Sequence, residues 1–339
     1  MADTSEQKSG RLSDRQKDII QKFAALGSLF ALVAVFSTTS SAFFTVNNGM
    51  TIALQVTSIA LLGIGATCVI ITGGIDLSVG SVLALAGVVA ALAVRDWGIP
   101  VPFAMLIGIL TGSACGWING ILVTKMKLPP FIATLGMMLI ARGLALQITG
   151  ARAVSGLGES FGVLGNGSLF RAVTIGDDGF PNVVFPGIPY PVILMVVIAV
   201  AVALMLNRSV LGRHIYAVGS NADAARLSGV NVSRVVSFTY VLSGTLAGLT
   251  GCVLMSRLVT AQPNEGVMYE LDAIASAVIG GTSLIGGVGT ISGTLIGAFV
   301  IGILRNGLNM NGVSAFTQQI IIGLVILGTV WIDQLRNRR

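Results

Sequence analysis

An all-α polytopic membrane protein is the fold class this sequence predicts, on three observations. Apolar residues make up 54% of the 339-residue chain and charged residues only 10%, where average globular domains carry about one quarter charged. Mean hydropathy is +0.89. The apolar residues gather into about ten runs, several shorter than the roughly 20 residues a straight crossing needs. A water-soluble fold of this length has too few charges to cover itself. The 44 glycines fall inside the apolar runs, where small residues let helix backbones approach closely in lipid.

In chain order, residues 1–22 form a basic tail with Lys8, Arg11, Arg15, Lys17 and Lys22. The run from Phe23 to Phe44 follows. Ser40-Ser41-Ala42 mimics a signal-peptide cleavage site, but the long leader and the many later spans favour a retained first helix. Further spans are expected near Thr51–Ile71, Ser81–Val94, Val101–Val123, Phe131–Ile148 and Pro191–Leu206. Beyond the longest basic loop come Val235–Met255, Ala273–Ile285, Thr290–Ile303 and Phe316–Ile332. The transmembrane domain thus covers 23–333, leaving 334–339 as a C-terminal tail.

Charge parity orients these spans. Lys125 and Lys127, then Arg208, Arg213, Arg226 and Arg234, then Arg336, Arg338 and Arg339 fall on one side. The other side holds Arg95/Asp96, Glu159/Asp177/Asp178 and Glu265/Glu270. Cytoplasmic N- and C-termini with an even number of spans satisfy the positive-inside rule. Trp97, Tyr190 and Trp331 fall near the expected interfaces. The loop 150–190 then lies outside and the loop 207–234 inside.

Other functions find little support in the sequence. The net charge of +6 comes from residues flanking apolar spans, not from a nucleic-acid-binding patch. Cys68, Cys115 and Cys252 are far apart in apolar segments and read as packing residues. His214 is the only histidine and is expected at the surface beside Arg213, so no metal site is expected. No catalytic cluster of His, Cys or carboxylates suggests an enzyme.

Two glycine-rich segments interrupt apolar stretches: Gly73-Gly74-Ile75-Asp76-Leu77-Ser78-Val79-Gly80 and Gly280-Gly281-Thr282-Ser283-Leu284-Ile285-Gly286-Gly287. Helices break at membrane depth where backbone lines a cavity or is buried in protein, and paired breaks point to a translocation path. The alternative is two ordinary loops. Asp76 has two open roles: capping a helix that starts near Leu77 by accepting from Ser78 or Val79 N–H, or contacting a solute. Arg142 either pairs with Asp76 or snorkels. Gln55, Asn119, Gln147, Asn306, Asn309, Gln318 and Gln319 are neutral polar residues within spans. They suit hydrogen bonds between helices, and equally a path for a neutral, hydroxyl-rich solute. Gln55 and Asn119 join Gly73, Gly74, Asp76, Ser78, Gly80, Gly280 and Gly281 as path candidates.

The energy source is expected to lie elsewhere. Few buried carboxylates are available for ion relay, and no phosphate-binding loop is present, since Gly-Lys never occurs. Within the 207–234 loop, Ser220 to Val230 reads as one short helix. Asn221 is its N-cap, Asp223 meets the helix dipole, and Gly229 ends it. Its alanines leave a shallow surface with Leu227 as an apolar knob, suited to a groove on another protein. Packing on its own membrane domain is the alternative.

Here the residues carry a resemblance. Asp223-Ala224-Ala225-Arg226-Leu227-Ser228-Gly229 resembles the EAA-x-x-x-G coupling motif of bacterial ATP-binding-cassette importer permeases, with aspartate for glutamate. Leu211 to Gly219, Gly73 to Ser81, Pro130 to Leu135, Ala261-Gln262-Pro263, Tyr269 to Ala275 and Gly280 to Leu284 resemble, in order, the monosaccharide permease family that includes ribose, xylose, arabinose and galactose transporters, the ribose branch most of all. The resemblance spans about Val46 to Asp333. It implies a multi-pass inner-membrane subunit paired with a second permease copy, as a homodimer or close heterodimer. The expected partners are a cytoplasmic ATPase that binds the ATP, so that the permease itself needs no cofactor, and a periplasmic sugar-binding protein. Asn221 to Gly229 becomes the coupling helix. An ion-coupled carrier or channel for a small neutral solute is the competing class.

Overall fold

A computed structural model describes residues 14–175 and 181–337 of the chain. Lys8 and Arg11 of the basic tail, and Asp177, Asp178, Arg338 and Arg339, used above to orient the chain, lie outside those residues. Each of the ten apolar runs falls in a helix: α1 (Asp14–Thr39), α2 (Val46–Ile71), α3 (Val79–Arg95), α4 (Val101–Thr124), α5 (Pro130–Thr149), α7 (Tyr190–Arg208), α10 (Val232–Leu258), α11 (Tyr269–Ile279), α12 (Ile291–Met310) and α13 (Ala315–Asn337). Six of these, α2, α4, α5, α7, α10 and α12, are long and apolar enough to cross a membrane.

Several boundaries differ from the sequence reading. α1 begins nine residues before Phe23 and ends at Thr39, ahead of a turn at 40–45. α11 stops at Ile279 instead of continuing to Ile285, because Gly280 ends it and Gly281 takes φ +95°, a conformation side chains resist. The 150–190 loop is not structureless, and the described fold is not purely helical. It contains α6 (Glu159–Asn166) and two small antiparallel ladders, β1 (Ser168–Leu169) with β4 (Ile188–Pro189) and β2 (Ala172–Ile175) with β3 (Pro181–Phe185). The 207–234 loop holds two helices, α8 (Val210–Ser220) and α9 (Ala222–Leu227), where one was expected.

α2 is the axis of the bundle. Every residue from Val56 to Ile71 is buried, enclosed by α7, α10, α11 and α12. Around this axis the polarity is reversed from that of a soluble protein. Phe103, Leu106 and Leu110 on α4, Leu139 and Ile140 on α5, Val196 and Val200 on α7, and Ile320 and Leu324 on α13 are exposed. Apolar faces of that extent suit acyl chains, not water. Cys68, Cys115 and Cys252 are buried, in keeping with a packing role.

Lipid tails are as apolar as leucine, so burial from water does not draw these helices together, and close packing must. The tightest seam is between α4 and α10. Gly108, Gly112, Gly116 and Gly120 fall at four-residue intervals along one face of α4. A methyl on Gly112 would strike the Gly244 carbonyl, and one on Gly116 the Tyr240 carbonyl; one on Gly120 would lie 2.9 Å from Ser237 Cα. On α10, Gly244 and Gly248 return the fit against Gly112 and Gly108, and Gly251 meets the Leu83 carbonyl of α3. Ser113 and Thr245 hydroxyls bond across the seam at 2.8 Å, as do Thr124 and Ser237 at 3.1 Å.

α2 and α3 are joined by seven residues, 72–78, that run through the interior. Asp76, 2% exposed, holds this segment. Its Oδ1 accepts from the Ser78 amide at 3.0 Å and the Ser78 hydroxyl at 2.6 Å, and its Oδ2 accepts from the Ser243 hydroxyl of α10 at 2.8 Å. The preceding Ile75 carbonyl accepts from Thr134 at 3.2 Å and Tyr240 at 3.4 Å. Asn119 Nδ2 donates to Ser78 Oγ at 3.0 Å. The expected bond from the Ser78 amide to Asp76 is present, but Ser78 is itself the N-cap of α3 and α3 has no side-chain cap, so Asp76 braces the turn ahead of the helix and does not cap it. Irregular backbone at this depth survives because α4, α5 and α10 satisfy its polar groups.

Two predictions follow from this packing. Gly112→Leu should destabilise the folded protein by about 1–3 kcal/mol or more, lowering its melting temperature in detergent. Gly136→Ala, where nothing lies within 4 Å of the added methyl, should leave the melting temperature unchanged. Asp76→Ala strands the Ser78 amide and the Ser78 and Ser243 hydroxyls, at about 1–3 kcal/mol for each buried donor. Asp76→Asn, which keeps acceptor capacity, should cost less in the same melt, and equal losses for the two would contradict the anchoring role.

Candidate functional site

The loop that was expected to meet a partner forms a compact knuckle. Ser209 caps α8 by accepting from the Gly212 amide at 3.0 Å. Asn221 caps α9 by accepting from the Asp223 and Ala224 amides at 3.0 and 2.9 Å. α9 has six residues and is too short to persist alone in water. It is held by Ala225, which packs with Ile215, Val218, Leu206 and Val235, and by the Val230 amide bonding the Ala225 carbonyl at 3.0 Å. The outward face carries Asp223, Ala224, Arg226 and Leu227. Leu227 is 91% exposed, and Asp223 and Arg226 form an exposed pair at 3.5 Å that adds little stability. Gly229, at φ +85°, turns the chain away toward α10.

This knuckle is joined to both glycine-rich breaks. A methyl on Gly219, near the end of α8, would strike the Ile71 carbonyl at the end of α2. That carbonyl also accepts from the Gly287 amide at 2.8 Å. Tyr216 of α8 donates to the Gly289 carbonyl at 2.8 Å. Gly73 and Gly74 follow Ile71 after Thr72, and Gly280 and Gly281 begin the turn that leads to Gly287. The two segments share one junction at the α9 end of the molecule. Their partners differ, however: Gly280 packs on Gly293 of α12, whereas Gly80 packs on Gly266 and Glu270.

Arg142 does not pair with Asp76. Its guanidinium donates to the Pro263 and Glu265 carbonyls at 2.5 and 2.7 Å and reaches Gly80 O at 3.5 Å. It thereby fastens the 259–268 turn to the start of α3. His214 is half-buried, not at the open surface expected for it.

At the end of the bundle opposite α9 lies a polar cavity of about 240 Å³. It is formed by the first half of α2, the ends of α10 and α12, and the starts of α11 and α13, with Gln55, Arg257, Tyr269, Arg305, Asn306 and Gln318 among its lining. A second cavity of about 360 Å³ adjoins it and shares Tyr269, Arg305 and Gln318; Gln319 and Asp272 line this one. Arg305 bonds the buried Asp272 at 2.9 Å and so forms part of the wall between them. Of the neutral polar residues singled out in the sequence, Gln55, Asn306, Asn309 and Gln318 meet in the first cavity. Asn119 sits apart beside Ser78, and Gln147 is exposed on α5.

Sequence reasoning missed Arg257, Tyr269, Asp272 and Arg305 as lining residues. Arg305 was findable, as a charged residue two positions beyond the apolar run that forms most of α12. Ser243 and Tyr240, which hold the 75–76 turn, were not, because nothing local distinguishes them from other residues of α10.

Comparison with known proteins identifies the group. Residues 48–330 match the family described as branched-chain amino acid transport system / permease component. The chain is 44% identical to the ribose import permease protein RbsC of Escherichia coli K12 over 315 residues, covering 92% of this chain and 94% of that one. It is 42% identical to the Bacillus subtilis ribose import permease protein RbsC over 335 residues, covering 97% and 99% of the two chains. The xylose transport system permease protein XylH of E. coli K12 is 33% identical over 378 residues, with 98% and 96% covered. No solved structure matches. With its family match across most of its length and its long apolar helices, the chain belongs to the branched-chain amino acid transport system / permease component family, as a multi-pass permease of the inner membrane.

Proposed function

We propose that this protein is the transmembrane subunit of an ATP-binding-cassette importer for a monosaccharide, ribose or a similar pentose. The observation that carries the reading is near-full-length identity of 40% or more to ribose import permeases. The family description mentions amino acids, but these relatives are named for ribose and the more distant one for xylose.

The subunit has no chemistry to perform. A partner ATPase binds and hydrolyses ATP, a periplasmic binding protein delivers the sugar, and a second permease copy completes the membrane portion. In this reading the chain crosses ten times, with both termini and α9 in the cytoplasm, and the 150–190 segment and the polar cavity outside. α9 is the coupling helix. Its caps and Ala225 fix it rigidly to α8 while Leu227 projects, so movement of a docked ATPase is passed to α8 as a unit. From α8 it reaches Ile71 and Gly287, the hinges of the two glycine-rich segments. Asp76 and Ser78 with Asn119 keep the first segment ordered, and Gly280 and Gly281 allow the second to turn.

Reconstitution tests the reading. Proteoliposomes holding the permease with its ATPase and the ribose-binding protein should accumulate ribose only with ATP inside the ATPase-facing compartment. Accumulation driven by a sodium or proton gradient without ATPase would establish the carrier class instead. A panel of pentoses, hexoses and branched-chain amino acids on the binding protein assigns the cargo. Leu227→Glu and Ala224→Glu lie on the exposed face of α9 and should lower stimulated ATP hydrolysis and uptake at least about tenfold, as loss of a central interface anchor does. Membrane insertion should be unchanged, and normal stimulation in both variants would remove α9 from the coupling role.

A further inference from the structure

The polar cavity at the outer end of the bundle has unspent hydrogen-bonding capacity. Arg305 uses one guanidinium nitrogen on Asp272; among the described residues its other two nitrogens have no partner. Arg257 has no side-chain partner among them either, nor do the Tyr269 hydroxyl, Gln55 or Asn309. Asn306 Oδ1 accepts from Asn48 at 3.1 Å and Gln318 Nε2 donates to Val313 O at 2.9 Å, so each retains the other half of its amide.

The composition of this set selects a chemistry. An anion needs donors alone, and the free amide oxygen of Gln318, with those of Gln55 and Asn309, would be of no use to it. A hydroxyl both donates and accepts, and so do Gln55 and Asn309, while Asn306 has its Nδ2 donor and Gln318 its Oε1 acceptor left. Two neighbouring hydroxyl oxygens match the spacing of a guanidinium fork. Ile59, Leu254 and the Tyr269 ring supply apolar surface for the C–H face of a sugar ring. At about 240 Å³ the space lies just below the roughly 300–1,000 Å³ of drug-sized ligand pockets, a scale for one monosaccharide ring.

Resting on the importer reading above, we propose that this cavity is a sugar-binding station within the permease, entered from the outer face. Arg305 donates to a vicinal pair of hydroxyls, and Asn309 and Gln318 bond the hydroxyls nearest the mouth. Asp272 is a positioning residue. It fixes the Arg305 fork from the neighbouring cavity, and it offsets the charge so that Arg305 recognises an uncharged solute. The site lies across the bundle from α9, as a station filled before the cytoplasmic end opens should.

The test uses the full complex in proteoliposomes with labelled D-ribose. Asn309→Leu combined with Gln318→Leu keeps side-chain volume and removes two amides from the accessible rim. Uptake should fall by about tenfold or more, on the scale of one or two lost hydrogen bonds. ATP hydrolysis stimulated by the loaded binding protein should stay within about twofold of the parent, which a structural defect would not allow. Arg305→Lys keeps the charge beside Asp272 and loses the fork, and should give the same split. Normal uptake by the double variant overturns the station while leaving the importer reading intact. A parent complex that moves no ribose with ATP overturns that reading, and the ligand class assigned here with it.

Discussion

Backbone contact between α4 and α10 is the constraint on which the rest of this structure depends. In lipid the helices gain nothing by hiding apolar surface, so they hold only where atoms meet at van der Waals distance. Four glycines on α4 and two on α10 let carbonyls and Cα atoms meet directly, and Gly251 of α10 does the same against α3. This places α10 against α2, α3 and α4 together. Ser243 and Tyr240 of α10 consequently arrive beside the 75–76 turn, and Gly251 arrives beside Leu83. A side chain anywhere in the seam would push α10 outward and withdraw the groups that satisfy the interrupted backbone.

From that placement follows the division of polar groups. Asp76, Ser78, Asn119 and Ser243 are turned inward and spend most of their hydrogen bonds on each other and on backbone. Their function is to make an irregular segment stable at membrane depth. Arg142 does comparable work nearer the outer end by clasping the carbonyls of the 259–268 turn. The cavity lining differs in kind. Gln55, Asn309, Arg257 and Tyr269 line the cavity, and among the described residues their side chains have no hydrogen-bond partner. Polar side chains here thus fall into those that complete the fold and those that line a cavity, and residue type alone does not separate them.

That is also where the sequence stops being legible. Ten apolar runs correspond to ten helices, because length and composition suffice to specify a helix in lipid. α11 ends early because Gly280 and Gly281 end it, a stop the same glycines announced but whose position depends on packing against Gly293. The four-residue glycine spacing on α4 was readable as a packing face. α6 and the two ladders were not readable, since Gly, Ser, Asn and Pro occur as freely in short strands as in loops. Asn221, Asp223 and Gly229 announced the α9 turn because capping is local chemistry. Ser243 reaches Asp76 across 167 residues, and no local pattern encodes such a contact.

The junction at Ile71 joins these two scales. Its carbonyl is the last of α2, a position normally left without an intrahelical partner, and it is met instead by Gly287 N–H and by the bare backbone of Gly219. Only glycine at 219 lets α8 approach that carbonyl. A shift of α8 therefore cannot be absorbed by side-chain rotation, because backbone touches backbone. It must either break the Ile71–Gly287 bond or carry both segments with it. Since the segment after Ile71 leads to Asp76 and the segment before Gly287 leads back to α11, whose Asp272 holds Arg305, a rigid contact at one end of the bundle reaches the cavity at the other through continuous main chain.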